Sequence, residues 1–138
     1  MISDEYHTSL LFTGLLLVLV VVQWMVATIA KAKTGALPGQ PPKIETHDQF
    51  AFRAYRTHQN TLENLGTILG GAFFAILAGA TNTVVAWLLG IIFVSRVVHM
   101  ALYYKIATEQ NPSPRSYFFM ISWFANIVLI VVAFVALF

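Results

Sequence analysis

The sequence predicts an all-α integral membrane protein, a bundle of four transmembrane helices. Of its 138 residues, 58% are hydrophobic and only 10% are charged, and the mean hydropathy is +0.73. Soluble domains carry about a quarter charged residues, so this composition is typical of a membrane protein. Four apolar stretches, each near the ~20 residues that cross a bilayer, are separated by polar or proline-containing connections. We expect one domain over residues 1–138.

The apolar stretches place the helices along the chain. The predicted helices cover, approximately, residues 8–30, 48–80, 84–105 and 117–138. The first apolar stretch follows Asp4 and Glu5 rather than a basic segment. It therefore lacks the basic start of a signal peptide and is interpreted as a retained transmembrane helix. The connection after it is rich in proline and glycine, which indicates a loop.

The basic residues indicate the topology. The chain has eight of them, and all except Arg96 lie in the first and third connections or in the adjoining helix ends. By the positive-inside rule those two connections are cytoplasmic and both termini are outside. So few basic residues act as topology signals despite the pI near 9.1, and no nucleic-acid partner is expected. The short loops favour a bacterial inner membrane over the endoplasmic reticulum.

Polar side chains recur at helical spacing in the second and third predicted helices. In the second helix the spacings are three, four and three, at Arg53, Arg56, Asn60 and Glu63. In the third helix the spacings are three and four, at Arg96, His99 and Tyr103. Each set shares one helix face, and both sets lie toward the cytoplasmic leaflet at comparable depth. The two polar stripes are therefore placed where they can face each other.

Two interpretations of these stripes stay open. Arg96 and Glu63 form an intramembrane ion pair that specifies packing, or the stripes bind a ligand. The number of polar groups exceeds what helix packing needs, which favours a ligand. Guanidinium groups with one carboxylate and neutral hydrogen-bonding groups suit a small zwitterionic ligand of net negative charge.

Several other classes of site are disfavoured. The chain has no cysteine, which excludes disulfides, thiolate metal sites and a protein thiol nucleophile, and we predict no metal site. Haem ligation by His58 and His99 is not expected, because His58 points about 200° away from the stripe. We interpret His58 as an interfacial or capping residue, and His7 and His47 as ordinary exposed histidines. A small multidrug exporter would need an acidic residue in the first helix, which has none.

Three motifs carry a family resemblance. RTHQNTLEN in the second helix, RVVHMALYY in the third and PRS before the fourth closely resemble the MAPEG family, the membrane-associated proteins in eicosanoid and glutathione metabolism. The similarity extends over all four spans, and His99 resembles the branch of microsomal glutathione transferases and prostaglandin E synthases. The resemblance implies a homotrimer with a glutathione site between neighbouring subunits, open toward the cytoplasm.

The same resemblance assigns roles to individual residues. The residues that it implies contact glutathione are Arg56, Gln59, Asn60, Glu63, Arg96, His99 and Tyr103. Arg115 matches the arginine that stabilises the thiolate, and Ser116 beside it is a candidate hydrogen-bond donor. The sequence departs from the family pattern at Gln59, where several members have arginine, and at Phe119, where a tyrosine can contact the ligand. The basic residue expected at the end of the first helix is Lys31 or Lys33, and the choice stays open.

The function implied is that of a membrane-bound glutathione transferase, with or without glutathione peroxidase activity, in detoxification or lipid metabolism. Glutathione is the co-substrate, and its thiolate attacks lipophilic electrophiles or lipid hydroperoxides that enter from the bilayer. The alternative is a non-catalytic membrane protein of the same fold that binds a lipid or another ligand, as one branch of the family does. No motif in the apolar helix faces identifies the electrophile.

Overall fold

All 138 residues are described by the structure, a computed structural model that consists of helices and contains no strand. The helices are α1 (Ile2–Glu5), α2 (His7–Ala32), α3 (Phe50–Leu77), α4 (Asn82–Lys105) and α5 (Arg115–Leu137). The four long helices begin and end within three residues of the ranges expected from the sequence, and α1 is an additional single turn. The all-α class expected from the sequence is confirmed.

Three of the helices, α2, α4 and α5, are long and apolar enough to cross a membrane. The fourth long helix, α3, is the longest at 28 residues but carries Arg53, Arg56 and Glu63. Its first half is polar and its second half is apolar. The charged half of α3 is the part that contributes to the site described below.

Apolar side chains from all four long helices form the core of the bundle. Leu16, Ile68, Leu89, Ile92 and Leu129 are each at most 1% exposed. The helices approach closely where side chains are small, so that a Cβ atom added at Gly71 would lie 3.2 Å from Cγ1 of Ile130. Large apolar side chains also cover the outside of the bundle, as a lipid-facing surface requires.

A tight turn joins α3 to α4 at one end of the bundle. The amide of Gly79 donates to the carbonyl of Ile76, and the amide of Ala80 donates to the carbonyl of Ala75, which is the hydrogen-bond pattern of a Schellman motif. Gly79 has φ of +74°, a conformation that glycine adopts without steric cost. The hydroxyl of Tyr6 donates to the carbonyl of Ala80 at 2.5 Å and fixes the start of α2 against this turn.

The two longer connections meet at the opposite end of the bundle. Glu109, which follows α4, accepts a hydrogen bond at 2.5 Å from the backbone amide of His47, which precedes α3. The same carboxylate accepts from Thr46 Oγ1 at 3.0 Å. Arg53 Nη2 donates to the carbonyl of Tyr104 at 3.3 Å. These bonds fasten the start of α3 to the end of α4.

Candidate functional site

A polar cavity of about 310 Å³ lies at this fastened end, where α3 and α5 begin and α4 ends. Its lining residues come from three helices and one loop: His47, Arg56, Asn60, His99, Tyr103, Arg115, Ser116 and Phe119. Six of the nine site residues expected from the sequence are among them. The two polar stripes therefore do face each other, and the PRS motif completes the cavity.

Helical spacing explains how each element contributes to the lining. Arg56 and Asn60 lie one turn apart on α3, and His99 and Tyr103 lie one turn apart on α4. Residues four positions apart lie on the same face of a helix, so both members of each pair line the cavity. Arg115 is the first residue of α5, so the positive end of that helix dipole lies beside the cavity.

The cavity is electropositive. Neither Arg56 nor Arg115 has a carboxylate within 4.0 Å, since the only contacts between basic and acidic groups within that distance join Met1 to Asp4 and His47 to Glu109. The guanidinium carbon of Arg115 lies 4.1 Å from the centroid of the Tyr103 ring, in cation–π contact. Two arginines without acidic partners beside a helix N-terminus can bind an anionic ligand.

Arg96 lies behind the cavity wall rather than in the lining. It is 1% exposed and donates from Nη1 to Asn60 Oδ1 at 2.7 Å and from Nε to Ser122 Oγ at 3.0 Å. Its guanidinium carbon also lies 5.1 Å from the centroid of Phe119. Because Oδ1 of Asn60 accepts from Arg96, the amide nitrogen of Asn60 remains as a donor for a ligand.

The ion pair between Arg96 and Glu63 that the sequence left open is not formed. Arg96 is bonded to an amide and a hydroxyl instead, and no carboxylate lies within 4.0 Å of it. Glu63 is exposed on α3, and Gln59 is partly buried outside the cavity lining. Of the nine expected site residues, Gln59, Glu63 and Arg96 are thus the three that do not line the cavity of a single subunit.

Two histidines are placed differently from the expectation. His47 is not an ordinary exposed residue: it lines the cavity, and its Nε2 lies 2.8 Å from Oη of Tyr103. His58 is not a cap, because it lies inside α3, and it is buried at 8% exposure. His47 precedes the helical stripe, in a loop without periodicity, and its partner Tyr103 is 56 positions away. No local signal in the sequence indicates that contact.

Glu109 was also absent from the expected site. It contacts His47 through Nδ1 at 3.0 Å, so it lies one residue behind the cavity lining. Hydrogen bonds from the backbone and the side chain of His47 lower the pKa of this carboxyl below its ordinary value of 4.5. Glu109 is therefore ionised at neutral pH.

The fold and the site together define a helical, multi-pass membrane protein with a cationic cavity at one end of its bundle. The sequence model of the MAPEG family matches residues 8–135, which is nearly the whole chain, and the protein belongs to that family. Family membership and the three apolar helices make it an integral multi-pass membrane protein. A comparison with curated protein sequences finds no significant match.

Proposed function

We propose that the protein is a membrane-bound glutathione transferase that activates the glutathione thiolate for attack on lipophilic electrophiles or lipid hydroperoxides. The family to which it belongs includes glutathione transferases and other enzymes. The observation that carries the proposal is the cavity itself, in which Arg56 and Arg115 have no acidic partner within 4.0 Å. Such a cavity favours a ligand with several negative groups.

The lining residues match the chemistry of glutathione, which has two carboxylates, one ammonium group and one thiol. Arg56 is suited to bind a carboxylate in forked geometry. Asn60 contributes its free amide nitrogen, and His99 and Tyr103 are available for further polar contacts with the peptide. Arg115 and Ser116 then remain for the thiol end of the ligand, where a guanidinium stabilises the thiolate at any physiological pH.

Assembly as a homotrimer would account for the site residues that the single subunit leaves outside the cavity. Glu63 is exposed on α3, and a charge on the surface of a membrane helix needs a polar partner. Gly66 and Gly70 follow on the same helix with open space around them, as small residues at a helix–helix interface would have. In our proposal the ammonium group of glutathione is bound by Glu63, and Gln59 and Lys31 or Lys33 contribute at the contact between subunits.

The reaction proposed requires only the ligand's own sulfur. The thiolate lone pair forms a bond to an electrophilic carbon and displaces a leaving group or adds to an unsaturated carbonyl. With a hydroperoxide, sulfur attacks the terminal oxygen and the O–O bond breaks, which gives glutathione sulfenic acid and an alkoxide that is protonated to the alcohol. The thiol of a second glutathione then attacks the sulfenic sulfur, and the disulfide forms with release of water. The protein contributes position and charge. Lipophilic substrates would reach the site from the bilayer along the apolar faces of the helices.

One observation favours the alternative, a non-catalytic protein that binds a lipid. A groove of about 660 Å³ lies between the first halves of α2 and α4, at the end of the bundle opposite the cavity. Phe12, Trp87 and Ile91 contribute apolar surface to it. A groove of this size and polarity can bind an acyl chain without any reaction.

Orientation and location are part of the same proposal. The cavity end carries the basic residues that the positive-inside rule assigns to the cytoplasm, so both termini would be outside. In a bacterial inner membrane this orientation gives the cavity direct access to cytoplasmic glutathione. Reporter fusions at the two termini test it, and a cytoplasmic signal from either terminus would contradict it.

An ultraviolet difference titration of the detergent-purified protein with glutathione tests the proposed function. We expect a saturable thiolate absorbance at pH 7, and we expect S-methylglutathione to compete for binding without giving any absorbance. Consumption of a reactive aryl chloride should follow the thiolate signal. Absence of both the signal and calorimetric glutathione binding would refute the proposal and favour the lipid-binding alternative.

A further inference from the structure

A chain of hydrogen bonds leads from the cavity to water through His47. Tyr103 lines the cavity, and its Oη lies 2.8 Å from Nε2 of His47. On the other side of the imidazole ring, Nδ1 lies 3.0 Å from Oε1 of Glu109, which is exposed to solvent. A phenol, an imidazole and a carboxylate are thus connected in series, each within hydrogen-bonding distance of the next.

The carboxylate fixes the direction of these bonds. Glu109 is ionised at neutral pH, because hydrogen bonds from His47 lower its pKa below 4.5. An ionised carboxylate only accepts, so Nδ1 of His47 carries a hydrogen, and in that tautomer Nε2 is an acceptor. The Tyr103 hydroxyl therefore donates to His47. Arg56 also lies within hydrogen-bonding reach of the Tyr103 oxygen, which keeps a second lone pair that can accept a proton from a ligand in the cavity.

Several contacts hold the imidazole ring in this orientation. It stacks on the ring of Tyr103 with centroids 5.7 Å apart and planes 16° apart. The ring of Phe52 meets it edge-on at 5.1 Å. Arg53 donates from Nη1 to the carbonyl of His47 at 2.7 Å, which fixes the backbone. A ring held by so many contacts is preorganised for one path of proton transfer.

The charges around the ring support its transient protonation. The ionisable side chains that surround the path are Asp48, Arg53, Arg56, His99, Glu109 and Arg115. The acidic ones lie on the solvent side, where Glu109 contacts Nδ1 directly and Asp48 accepts from the Glu109 amide at 3.3 Å. Two of the arginines lie on the cavity side. This arrangement draws a proton away from the cavity and toward water.

From this geometry we infer that Tyr103, His47 and Glu109 form a proton relay that carries the thiol proton of glutathione from the cavity to water. The inference rests on the proposed function. The S–H bond breaks with its electron pair left on sulfur, and the proton passes to Oη of Tyr103 as Tyr103 transfers its own hydroxyl proton to Nε2 of His47. The imidazolium, paired with Glu109, then releases a proton to water. The relay determines the rate of thiolate formation, whereas Arg115 determines the fraction of bound glutathione that is thiolate at equilibrium.

Stopped-flow mixing of the full-length protein with glutathione at pH 7, followed by thiolate absorbance, measures that rate. In His47→Gln and in Tyr103→Phe we expect it to fall by roughly 10²-fold, the usual contribution of a general acid–base group. The final amplitude in His47→Gln should stay within about twofold of the unaltered protein. The double variant should be no slower than either single one, because both changes interrupt one path.

Matched controls separate the relay from general damage to the protein. His7→Gln changes an exposed histidine outside the cavity, and Tyr104→Phe removes a neighbouring hydroxyl that has no hydrogen-bond partner. Both should form thiolate at the unaltered rate. Glu109→Gln keeps a side-chain oxygen that can accept from Thr46 and from the amide of His47, and it removes only the charge. It should slow thiolate formation by about tenfold because the imidazolium loses its counter-charge.

Rescue by added imidazole distinguishes a relay from a structural role. The side chain of His47 is 27% exposed, so His47→Ala opens a space that imidazole can reach. We expect imidazole to accelerate thiolate formation in His47→Ala and not in Tyr103→Phe. Unchanged rates in His47→Gln, or no response of His47→Ala to imidazole, would overturn the relay while the thiolate signal itself still supports the proposed function. Absence of glutathione binding to the unaltered protein would overturn both.

Discussion

Removal of the Arg115 guanidinium should lower turnover at neutral pH far more than it weakens glutathione binding. Arg115 begins α5, lies 4.1 Å from the Tyr103 ring centroid, and has no carboxylate within 4.0 Å to neutralise it. It also donates to the carbonyl of Pro112, which holds the side chain over the cavity. Its charge is therefore available to a ligand anion. Arg115→Ala removes that charge and leaves Arg56 to bind a carboxylate.

The size of the effect follows from the thiol pKa. A free thiol has a pKa of about 8.5, so about 3% of it is thiolate at pH 7. An opposite charge within 4–6 Å lowers a pKa by about 1–3 units, and a shift of about two units raises the thiolate share to roughly 75%. We expect Arg115→Ala to reverse this change and to reduce turnover at pH 7 about 25-fold. At pH 9 the thiol of the variant ionises unaided, so the defect should shrink to less than about twofold.

The assay is turnover of a reactive aryl chloride at saturating glutathione, measured from pH 6 to pH 9, beside the glutathione Kd. Arg115→Lys keeps the positive charge and is the matched control, which should retain most of the activity at pH 7. Turnover in Arg115→Ala equal to that of the unaltered protein would refute the thiolate role. A defect that is as large at pH 9 as at pH 7 would show that Arg115 positions the ligand rather than shifting its pKa.

Three further predictions concern binding, packing and pH. Glu63→Ala should raise the glutathione Kd by roughly 10- to 100-fold and leave saturated turnover nearly unchanged, because a charge-assisted bond contributes about 1.5–3 kcal/mol; unchanged affinity by calorimetry would remove Glu63 from the site. Gly71→Leu should lower the free energy of unfolding by about 1–3 kcal/mol, since a Cβ there already lies 3.2 Å from a side chain of α5, whereas Gly14→Leu, with nothing within 4 Å, should not; equal unfolding midpoints in detergent would contradict this. Hydrogen bonds from His47 hold the pKa of Glu109 below 4.5, so ionised Glu109 stabilises the joined loops above that pH, and this stabilisation is lost as the pH falls through the lowered pKa. Hydrogen exchange at the His47 amide should therefore accelerate in that pH range relative to the intrinsic exchange rate. An exchange rate that follows only the intrinsic pH dependence would argue against this role of Glu109.

Most of the fold could be predicted because hydrophobic stretches of membrane length leave few alternatives. The ends of α2 and α4 follow from where the apolar residues stop. The turn between α3 and α4 was expected around residues 81–83, whereas α3 ends at Leu77 and the chain turns at Gly79, which has a positive φ. The packing of helix α3 is harder to predict, because its charged half does not have the composition of a membrane span and its role depends on what it packs against. The hydrogen bond from Arg96 to Asn60 shows that this half of α3 packs against α4, and helical periodicity does not predict that contact.

The residues of the candidate site also differ in whether the sequence could predict them. Residues that repeat every three or four positions, such as Arg56 with Asn60 and His99 with Tyr103, were predictable because a helix forces them onto one face. Partners contributed by loops were not, because no period relates His47 to Glu109, which is 62 positions away. The pairing of Arg96 also went to Asn60 and not to Glu63. Spacing gives the faces that meet, but side-chain length and direction decide which atoms touch.

The residues on helices and the residues on loops are suited to different roles in the site. The helical residues Arg56 and Asn60 are fixed by a rigid bundle, so they suit the constant task of binding and orienting a ligand. His47 and Glu109 lie on connections that are held only by hydrogen bonds between them and by contacts to α3 and α4. Proton exchange with water needs an exposed path of this kind, and a closed helical wall would block it. The loop contact at Glu109 is thus the part of the site where we expect changes in sequence to alter the rate of thiolate formation without altering affinity.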